Sequence, residues 1–236
     1  MKRHERRRLE RDLETDRMLQ TDAGRQQYWE MIAERCAADS MIALLETTLH
    51  LPGDVIECGV YRGSSIQTIG RTLADRAPEK TIYACDSFEG FPEEGVGRVD
   101  VGFLRFLSRI RKKFRTCADT PERLQKIFSL FNIRGEIVRG YFSDTLGQFA
   151  AHKFCFIHLD CDIYSSYMDC LNTLYDNLVP GGVIVFDDYR SPKWPGAEKA
   201  VNEFFGRVGG DILQCTERKE PSWYVRKSAN AQSKAA

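Results

Sequence analysis

His158-Leu159-Asp160-Cys161-Asp162 and Phe186-Asp187-Asp188 mark the ends of two short apolar runs, Phe154 to Leu159 and Val183 to Phe186. Both runs have the length of a β-strand and are rich in β-branched and aromatic residues. Each run therefore predicts a buried strand with carboxylates at its carboxyl end.

The segment between these runs predicts a helix. Apolar residues recur at helical spacing from Ser165 to Pro180, and Pro180-Gly181-Gly182 closes the segment. A strand, a crossover helix and a second strand form a right-handed parallel unit, which brings both groups of aspartates to one edge of a sheet. Ligands bind at that edge in open parallel sheets.

The aspartates at this edge predict a bound cation. Carboxylates gathered at one place repel one another unless a positive charge joins them. Asp160, Asp187 and Asp188 can supply the oxygen ligands that Mg²⁺ requires. The alternative is that single aspartates only cap the following helix or accept a hydrogen bond from a main-chain amide.

Length, charge and cysteine content limit the class of protein. At 236 residues with zero formal net charge, the chain suits one α/β domain and favours neither nucleic acid nor an anionic membrane as a partner. No apolar run approaches the roughly 20 residues that span a bilayer. The eight cysteines form no CxxC pair, as expected for buried thiols in a reducing compartment. We therefore expect a cytoplasmic protein.

A second candidate site follows the first core strand, which is predicted at Asp54 to Val60. The turn from Gly59 to Gly63 leads into Ser64 and Ser65 at the start of a helix, whose N–H groups and dipole favour an anionic group. The turn lacks the third glycine of the dinucleotide fingerprint. With Glu57 at the strand end, it suits a cofactor with an amino acid head, such as S-adenosylmethionine.

Asp86 closes the next predicted strand, Thr81 to Cys85. An acidic residue at this position can accept hydrogen bonds from both hydroxyls of a ribose, a feature that nicotinamide and S-adenosyl cofactors share. The alternative is an aspartate that caps a turn.

The remaining segments complete one domain. We expect a charged N-terminal arm or helix at residues 1–27, a single domain at 28–226 with a lid-like insertion at 88–118, and a disordered tail at 227–236. Within the domain, the patterns predict one or two helices at 28–51, helices at 121–132, 143–151 and 197–208, a strand at 136–138, and a closing β-hairpin at 212–215 and 223–225.

These motifs, taken together, resemble the class I S-adenosylmethionine-dependent methyltransferases, and among them the macrocin O-methyltransferase family, metal-dependent enzymes that methylate sugar hydroxyls on antibiotics. The matching segments come in the order of the family between residues 54 and 206. They are Glu57-Cys-Gly59-Val-Tyr-Arg-Gly63-Ser-Ser, Asp86-Ser-Phe-Glu-Gly-Phe-Pro92, Gly140-Tyr-Phe-Ser-Asp-Thr-Leu146, His158-Leu-Asp160-Cys-Asp162-Ile-Tyr164, Pro180-Gly-Gly182, Asp187-Asp188-Tyr189 and Pro195-Gly196.

The resemblance implies a Rossmann-like, seven-stranded, mostly parallel sheet with helices on both faces and a C-terminal antiparallel β-hairpin. It also implies Asp160, Asp187 and Asp188 as Mg²⁺ ligands, with Asp86 at the ribose. The cofactor site expected from the glycine turn and the resemblance together comprises Glu57, Gly59, Tyr61, Arg62, Gly63, Ser64, Ser65, Asp86, Ser87, Gly140, Phe142, Asp144 and Asp160.

The implied reaction transfers a methyl group from S-adenosylmethionine to a hydroxyl of a small molecule, such as a sugar-bearing natural product or another vicinal diol. The acceptor oxygen must lie in line with the S–CH₃ bond and lose its proton. Asp162 is the first candidate for the base and His158 is the second. Ile163 stands where the related catechol-type enzymes carry a lysine, so a lysine base is not expected there.

Three other functions remain open from the sequence. They are a nicotinamide-dependent oxidoreductase, a non-catalytic S-adenosylmethionine-binding protein, and a methyltransferase of RNA or protein, for which Arg105 to Arg115 would be a local basic patch. We expect no nucleic acid or membrane partner and a homodimer formed through the amino-terminal helices. The sequence does not identify the methyl acceptor.

Overall fold

The computed structural model describes residues 12–92, 100 and 120–228, with a seven-stranded sheet at its centre. The strand order is β3-β2-β1-β4-β5-β7-β6, with β1 to β5 parallel and β7 antiparallel to both β5 and β6. This confirms the predicted fold, including the closing hairpin. The strands are β1 (Asp54–Cys58), β2 (Ile82–Asp86), β3 (Gly135–Arg139), β4 (Phe154–Leu159), β5 (Leu178–Phe186), β6 (Leu213–Cys215) and β7 (Ser222–Arg226).

Helices cover both faces of the sheet. Because side chains alternate along a strand, Val55 of β1 faces one helical layer and its neighbour Ile56 faces the other. The helices α1 to α4 pack on the first face, and α6 and α7 on the second. They are α1 (Asp22–Ala38), α2 (Ser40–Glu46), α3 (Ser64–Arg76), α4 (Thr120–Leu130), α5 (Phe142–Thr145), α6 (Tyr164–Leu174) and α7 (Pro195–Val208).

The central strand β4 has the predicted bounds, and all six of its residues are buried. It lies between β1 and β5, so an unbroken apolar run is what this position requires. The strand ends where Asp160 begins, and hydrogen bonds from the main-chain N–H groups of Asp160 and Asp187 to Cys58 and Leu159 continue the ladder by one residue. The aspartates are therefore fixed at the sheet edge by the main chain itself. No helix in the described part of the chain is long and apolar enough to cross a membrane.

One predicted boundary is wrong. The Pro180-Gly181-Gly182 segment does not close a helix but lies inside β5, which begins at Leu178. Phe154 pairs with Leu178 while Phe156 pairs with Val183, so the extra residues of β5 are accommodated by an irregular register. Gly181 takes a φ of 82°, which explains why a glycine stands there.

Several predicted segments lie wholly or partly outside the described residues. They are the insertion at 88–118, of which only 88–92 and Asp100 are described, the first eleven residues of the N-terminal arm, and residues 229–236 of the tail. Residues 12–18 of the arm are helical. Lys227, predicted in the tail, instead belongs to the sheet edge, because its N–H group donates to Gly182 and its ammonium group lies 2.8 Å from the Leu178 carbonyl.

Gly59 joins the two halves of the sheet edge. It follows β1 with a φ of 94°, and a side chain at this position would overlap the main-chain carbonyl of Asp160. The turn after β1 and the first aspartate after β4 therefore touch through their backbones.

We predict that Gly59→Ala unfolds the chain or strongly lowers its stability, because a Cβ has no space there and the positive φ adds strain. Gly206→Ala is the matched control, since Gly206 lies in α7 and a Cβ added there would meet nothing within 4 Å. It should raise the free energy of unfolding by about 0.5–1 kcal/mol. Urea unfolding followed by tryptophan fluorescence tests both, and a Gly59→Ala protein as stable as wild type would contradict the close approach.

Candidate active site

A cavity of about 360 Å³ opens at the carboxyl edge of the sheet, where the turns after β1 to β5 meet. A cavity of this size suits a small organic ligand. It contains eight of the predicted site residues, namely Gly59, Tyr61, Asp86, Ser87, Gly140, Phe142, Asp160 and Asp162. The other residues that line it are Phe88, Gly90, Phe91, Pro92, Tyr141, Ser143, Cys161, Ser166, Asp169, Lys193 and Trp194.

Asp86 organises the middle of the cavity. Its Oδ2 accepts hydrogen bonds from the main-chain N–H groups of Val60 and Tyr61, each at 2.8 Å, and its Oδ1 accepts one from Phe88 at 2.7 Å. The carboxylate thus ties the glycine turn after β1 to the turn after β2. A carboxylate has about four acceptor sites, so the three main-chain hydrogen bonds leave one site, on Oδ1, for a ligand.

Three carboxylates converge at one end of the cavity, where Asp160 lines the wall, while Asp187 and Asp188 lie beside Asp160 and do not line it. Asp160, Asp187 and Asp188 each place a carboxylate oxygen within 4.8 Å of the others. Burial raises the pKa of Asp160 well above its ordinary value, and the charges of Asp187 and Asp188 raise it further. For Asp188, burial and then Asp187 raise the pKa to about 6. The repulsion that the sequence predicts is therefore present in the structure, and a cation would relieve it.

Asp162 is held beside this cluster by the backbone. Its φ of 64° is left-handed, and its N–H group donates to Oδ2 of Asp188 at 2.9 Å. The hydroxyl of Tyr167 lies 3.2 Å from the same oxygen and fixes Asp188 from the other side. Burial, followed by the charges of Asp188 and Asp187, raises the pKa of Asp162 well above its usual range. The arrangement places a carboxyl with a raised proton affinity in the wall of the cavity.

His158 and Glu57 form a buried pair beneath the cluster. The Nδ1 atom of His158 lies 2.8 Å from Oε1 of Glu57, and the two side chains are almost completely inaccessible to solvent. Burial lowers the pKa of His158, but the Glu57 carboxylate, Asp187 and Asp160 outweigh it and raise the pKa to about 9. A protonated His158 thus places a positive charge below three carboxylates.

Comparison with known proteins identifies the family. The family model described as Macrocin-O-methyltransferase (TylF) matches residues 2–209. The chain belongs to this family of O-methyltransferases. The family assignment confirms the resemblance that the motifs indicated and agrees with the position of the cavity at the sheet edge.

Two relatives of the chain are O-methyltransferases of sugar-bearing natural products. The chain is 32% identical over 179 residues to the 8-demethyl-8-(2,3-dimethoxy-alpha-L-rhamnosyl)-tetracenomycin-C 4'-O-methyltransferase of Streptomyces olivaceus, covering 72% of this chain and 66% of the relative. It is 31% identical over 187 residues to the Mycinamicin III 3''-O-methyltransferase of Micromonospora griseorubida, covering 76% and 70%. The chain therefore spans about two thirds of the length of these relatives.

A solved structure shares the fold. The O-methyltransferase NovP superposes with a TM-score of 0.68 at 25% sequence identity, over 80% of this chain and 78% of that one.

Six residues predicted for the cofactor site do not line the cavity, and two of them, Arg62 and Ser64, are held by other side chains. The guanidinium of Arg62 pairs with Asp12 of the N-terminal helix, and Arg123 binds the same carboxylate at 2.7 Å. The hydroxyl of Ser64 accepts a hydrogen bond from Arg35. The remaining residues outside the cavity wall are Glu57, Gly63, Ser65 and Asp144.

His158, the second candidate for the base, is also absent from the cavity wall. It is 2% exposed and bonded to Glu57, so it cannot reach an acceptor hydroxyl directly. Its position supports a role as a buried positive charge beneath the aspartates rather than as the group that takes the proton from the acceptor hydroxyl. Asp162 is the predicted base that the structure places in the cavity.

Several residues of the cavity wall were not predicted from the sequence, although each lies in a segment whose position was predicted. Lys193 and Trp194 follow the aspartate pair after β5, and Trp194 packs edge to face against Phe91 with ring centroids 5.8 Å apart. Ser166 and Asp169 lie three residues apart on α6 and therefore share one face of that helix. Polar residues at this spacing on a largely buried helix are the signal that would have found them.

We predict that the Glu57–His158 pair makes stability depend on pH. The folded-state pKa of about 9 lies above the ordinary histidine value of 6.5, so the contribution is complete below about pH 6.5 and is lost as the pH rises through about 9. In Glu57→Gln the carboxylate that raises the pKa is gone, and the loss of stability over this range should shrink. Urea unfolding in EDTA at a series of pH values measures the effect.

The control for this prediction is His50→Gln, which changes an exposed histidine and should keep the wild-type pH profile. An identical fall in stability for the wild type and Glu57→Gln would show that His158 does not hold its proton.

Proposed function

We propose that this chain is an S-adenosylmethionine- and Mg²⁺-dependent O-methyltransferase that acts on a hydroxyl of a sugar-bearing small molecule or another vicinal diol. One observation carries the proposal. A single cavity joins the glycine turn and Asp86 to Asp160 and Asp162, so a cofactor site and an acidic site share one space. Membership of the macrocin-type family supports the reaction class.

The residues around the glycine turn fit an S-adenosyl cofactor. Gly59 lines the cavity with main-chain atoms only, and Oε2 of Glu57 is a buried oxygen without a hydrogen-bond partner among the described residues. In this proposal the free acceptor site of Asp86 takes a hydrogen bond from a ribose hydroxyl, and Gly59 allows the methionine portion to approach the backbone. The bound cofactor would supply the methyl group as an electrophilic sulfonium.

The donor set at the acidic end fits Mg²⁺. Asp160, Asp187 and Asp188 offer only carboxylate oxygens, which are the ligands of a hard divalent cation, and no described His or Cys joins them. The exposed side of Asp187 leaves the site open toward solvent, as a site that admits an acceptor requires. A bound Mg²⁺ would orient two vicinal hydroxyls and lower the pKa of the one that reacts.

Asp162 is the base in this proposal. Its carboxyl lines the cavity next to the acidic cluster, and its raised pKa increases its affinity for the proton that the acceptor hydroxyl gives up. The left-handed backbone and the hydrogen bond to Asp188 fix its direction. Lys193, which lines the same cavity, lowers the pKa of Asp162 and moderates the effect.

The acceptor class rests on the relatives. The tetracenomycin and mycinamicin enzymes are named for methylation of sugar-bearing natural products. The wall formed by Phe91 and Trp194 gives this cavity an aromatic surface beside the acidic end, which suits the apolar face of a sugar ring. Cytoplasmic location, a homodimer and the absence of a nucleic acid partner stay predictions.

The cofactor and metal assignments can be separated by two variants. We predict that Asp86→Ala weakens binding of S-adenosylhomocysteine by about 100-fold, because a charge-assisted hydrogen bond to the ribose is lost and the turn after β1 loses two of its hydrogen bonds. Asp187→Ala should leave that affinity nearly unchanged and abolish binding of Mn²⁺, which serves as a spectroscopic probe for the Mg²⁺ site. Calorimetric titration with S-adenosylhomocysteine and with NAD⁺, each in Mg²⁺ and in EDTA, measures the cofactor affinities.

The alternatives give distinct results in the same titrations. Binding of NAD⁺ alone would favour an oxidoreductase. Binding of S-adenosylhomocysteine without any Mn²⁺ affinity in the wild type would favour a non-catalytic binding protein. Loss of cofactor affinity in Asp187→Ala, with Mn²⁺ binding intact, would contradict the assignment of the aspartates.

We further predict that Asp162→Asn lowers kcat by about 10²–10⁴-fold on a rhamnoside with vicinal hydroxyls, because the amide cannot take the proton. Affinities for S-adenosylhomocysteine and Mn²⁺ should change little. Asp211→Asn, which alters an exposed aspartate in the turn before β6, is the matched control. Wild-type turnover in Asp162→Asn would show that another group accepts the proton.

A further inference from the structure

Asp169 is a carboxylate in the cavity for which the reaction described above has no use. It lies on α6 and lines the cavity together with Ser166, which is one turn earlier and 5% exposed. Its side chain forms no hydrogen bond or ion pair with any residue that the structure describes. Burial, followed by the charge of Asp144, raises the pKa of Asp169, so the environment already disfavours an unpaired charge there.

The strand order indicates which part of the cofactor would lie near Asp169. Asp86 ends β2, the glycine turn follows β1, and Asp160 follows β4, so the ribose-binding and methionine-binding groups run along β2, β1 and β4. The remaining end of the cavity is bordered by the turn after β3, whose residues 140–143 line it. The base of an S-adenosyl cofactor bound in this order therefore extends toward the turn after β3.

The helix that carries Asp169 packs against that turn. The α5 helix, which begins at Phe142, contacts α6, and both Phe142 and Asp169 line the cavity. Phe142 offers an aromatic surface, while Asp169 offers acceptor oxygens. The exocyclic amino group of adenine is the one donor on its Watson–Crick edge, so a carboxylate at this end of the cavity complements it.

Asp144 is the competing acidic residue in this region. It is exposed, its Oδ1 accepts a hydrogen bond from the Ser143 hydroxyl at 3.1 Å, and it does not line the cavity. Of these two acidic residues, Asp169 is the one that lines the cavity.

We propose that Asp169 accepts a hydrogen bond from the 6-amino group of the cofactor's adenine and thereby makes the site selective for adenosyl ligands. The inference rests on the proposed function, because it assumes that the cavity holds an S-adenosyl cofactor. It assigns to the chain a specificity-determining residue on α6, separate from the glycine turn and from the acidic end.

The test is a thermodynamic cycle in which the Asp169 side chain and the 6-amino group of adenine are removed separately and together. The probes are S-adenosylhomocysteine and its analogue with unsubstituted purine in place of adenine, titrated calorimetrically into the wild type and Asp169→Ala. The wild type should bind the purine analogue about tenfold or more weakly, as expected for one hydrogen bond to a charged group. Asp169→Ala should bind both ligands with nearly equal affinity.

Two further variants make the result specific. Asp176→Ala removes an exposed carboxylate just beyond α6 and should keep the wild-type preference, which controls for the change in net charge. Asp144→Ala tests the competing residue. Retained Mn²⁺ binding at the acidic end shows that each variant is folded.

The outcomes separate this inference from the proposed function. An undiminished preference for the amino group in Asp169→Ala, its loss in Asp144→Ala instead, or equal affinities in the wild type would each overturn the assignment of Asp169. If the wild type binds neither ligand, the proposed cofactor site fails, and the inference falls with it.

Discussion

Mutual repulsion among Asp160, Asp187 and Asp188 is the constraint around which the rest of the site is arranged. Three carboxylates within 4.8 Å of one another destabilise the fold unless something compensates for their charge. The main chain forces them together, since Asp160 and Asp187 continue the hydrogen-bond ladders of adjacent parallel strands. Inside the protein, the compensating group is His158, which shares its proton with Glu57 below the cluster. A divalent cation above the cluster would complete the charge balance.

The same edge of the sheet couples the acidic end to the glycine turn. Gly59 packs so closely on the Asp160 carbonyl that no other residue fits, and Asp86 ties the turn to the segment after β2. A ligand in this turn therefore lies beside the aspartates without any rearrangement of the sheet. Methyl transfer depends on the distance and direction between donor and acceptor, and a rigid connection between their sites is a direct way to fix both.

The sequence could predict what the main chain determines. The aspartates after β4 and β5 end unbroken apolar runs, so their positions at one sheet edge follow from strand patterns and the handedness of the crossover. Side-chain directions could not be obtained in this way. Arg62 and Ser64 belong to the predicted loop, yet Asp12 and Arg35 from the N-terminal helices hold them. The Pro180-Gly181-Gly182 boundary is misplaced because proline and glycine also occur in irregular strands, where the register of β4 decides.

Local strain and electrostatics combine at Asp162, the base of the proposed reaction. A non-glycine residue at a φ of 64° is uncommon, and here Asp162 lines the cavity while its N–H group donates to Asp188. The neighbouring carboxylates then raise its proton affinity. In the proposed reaction, the cluster that would bind a cation thus also supplies the field that raises the proton affinity of the base. Any group that neutralises the cluster weakens that field, so cation binding and the proton affinity of Asp162 oppose each other. The exposed Lys193, which also lines the cavity, lowers the pKa of Asp162 in the same direction.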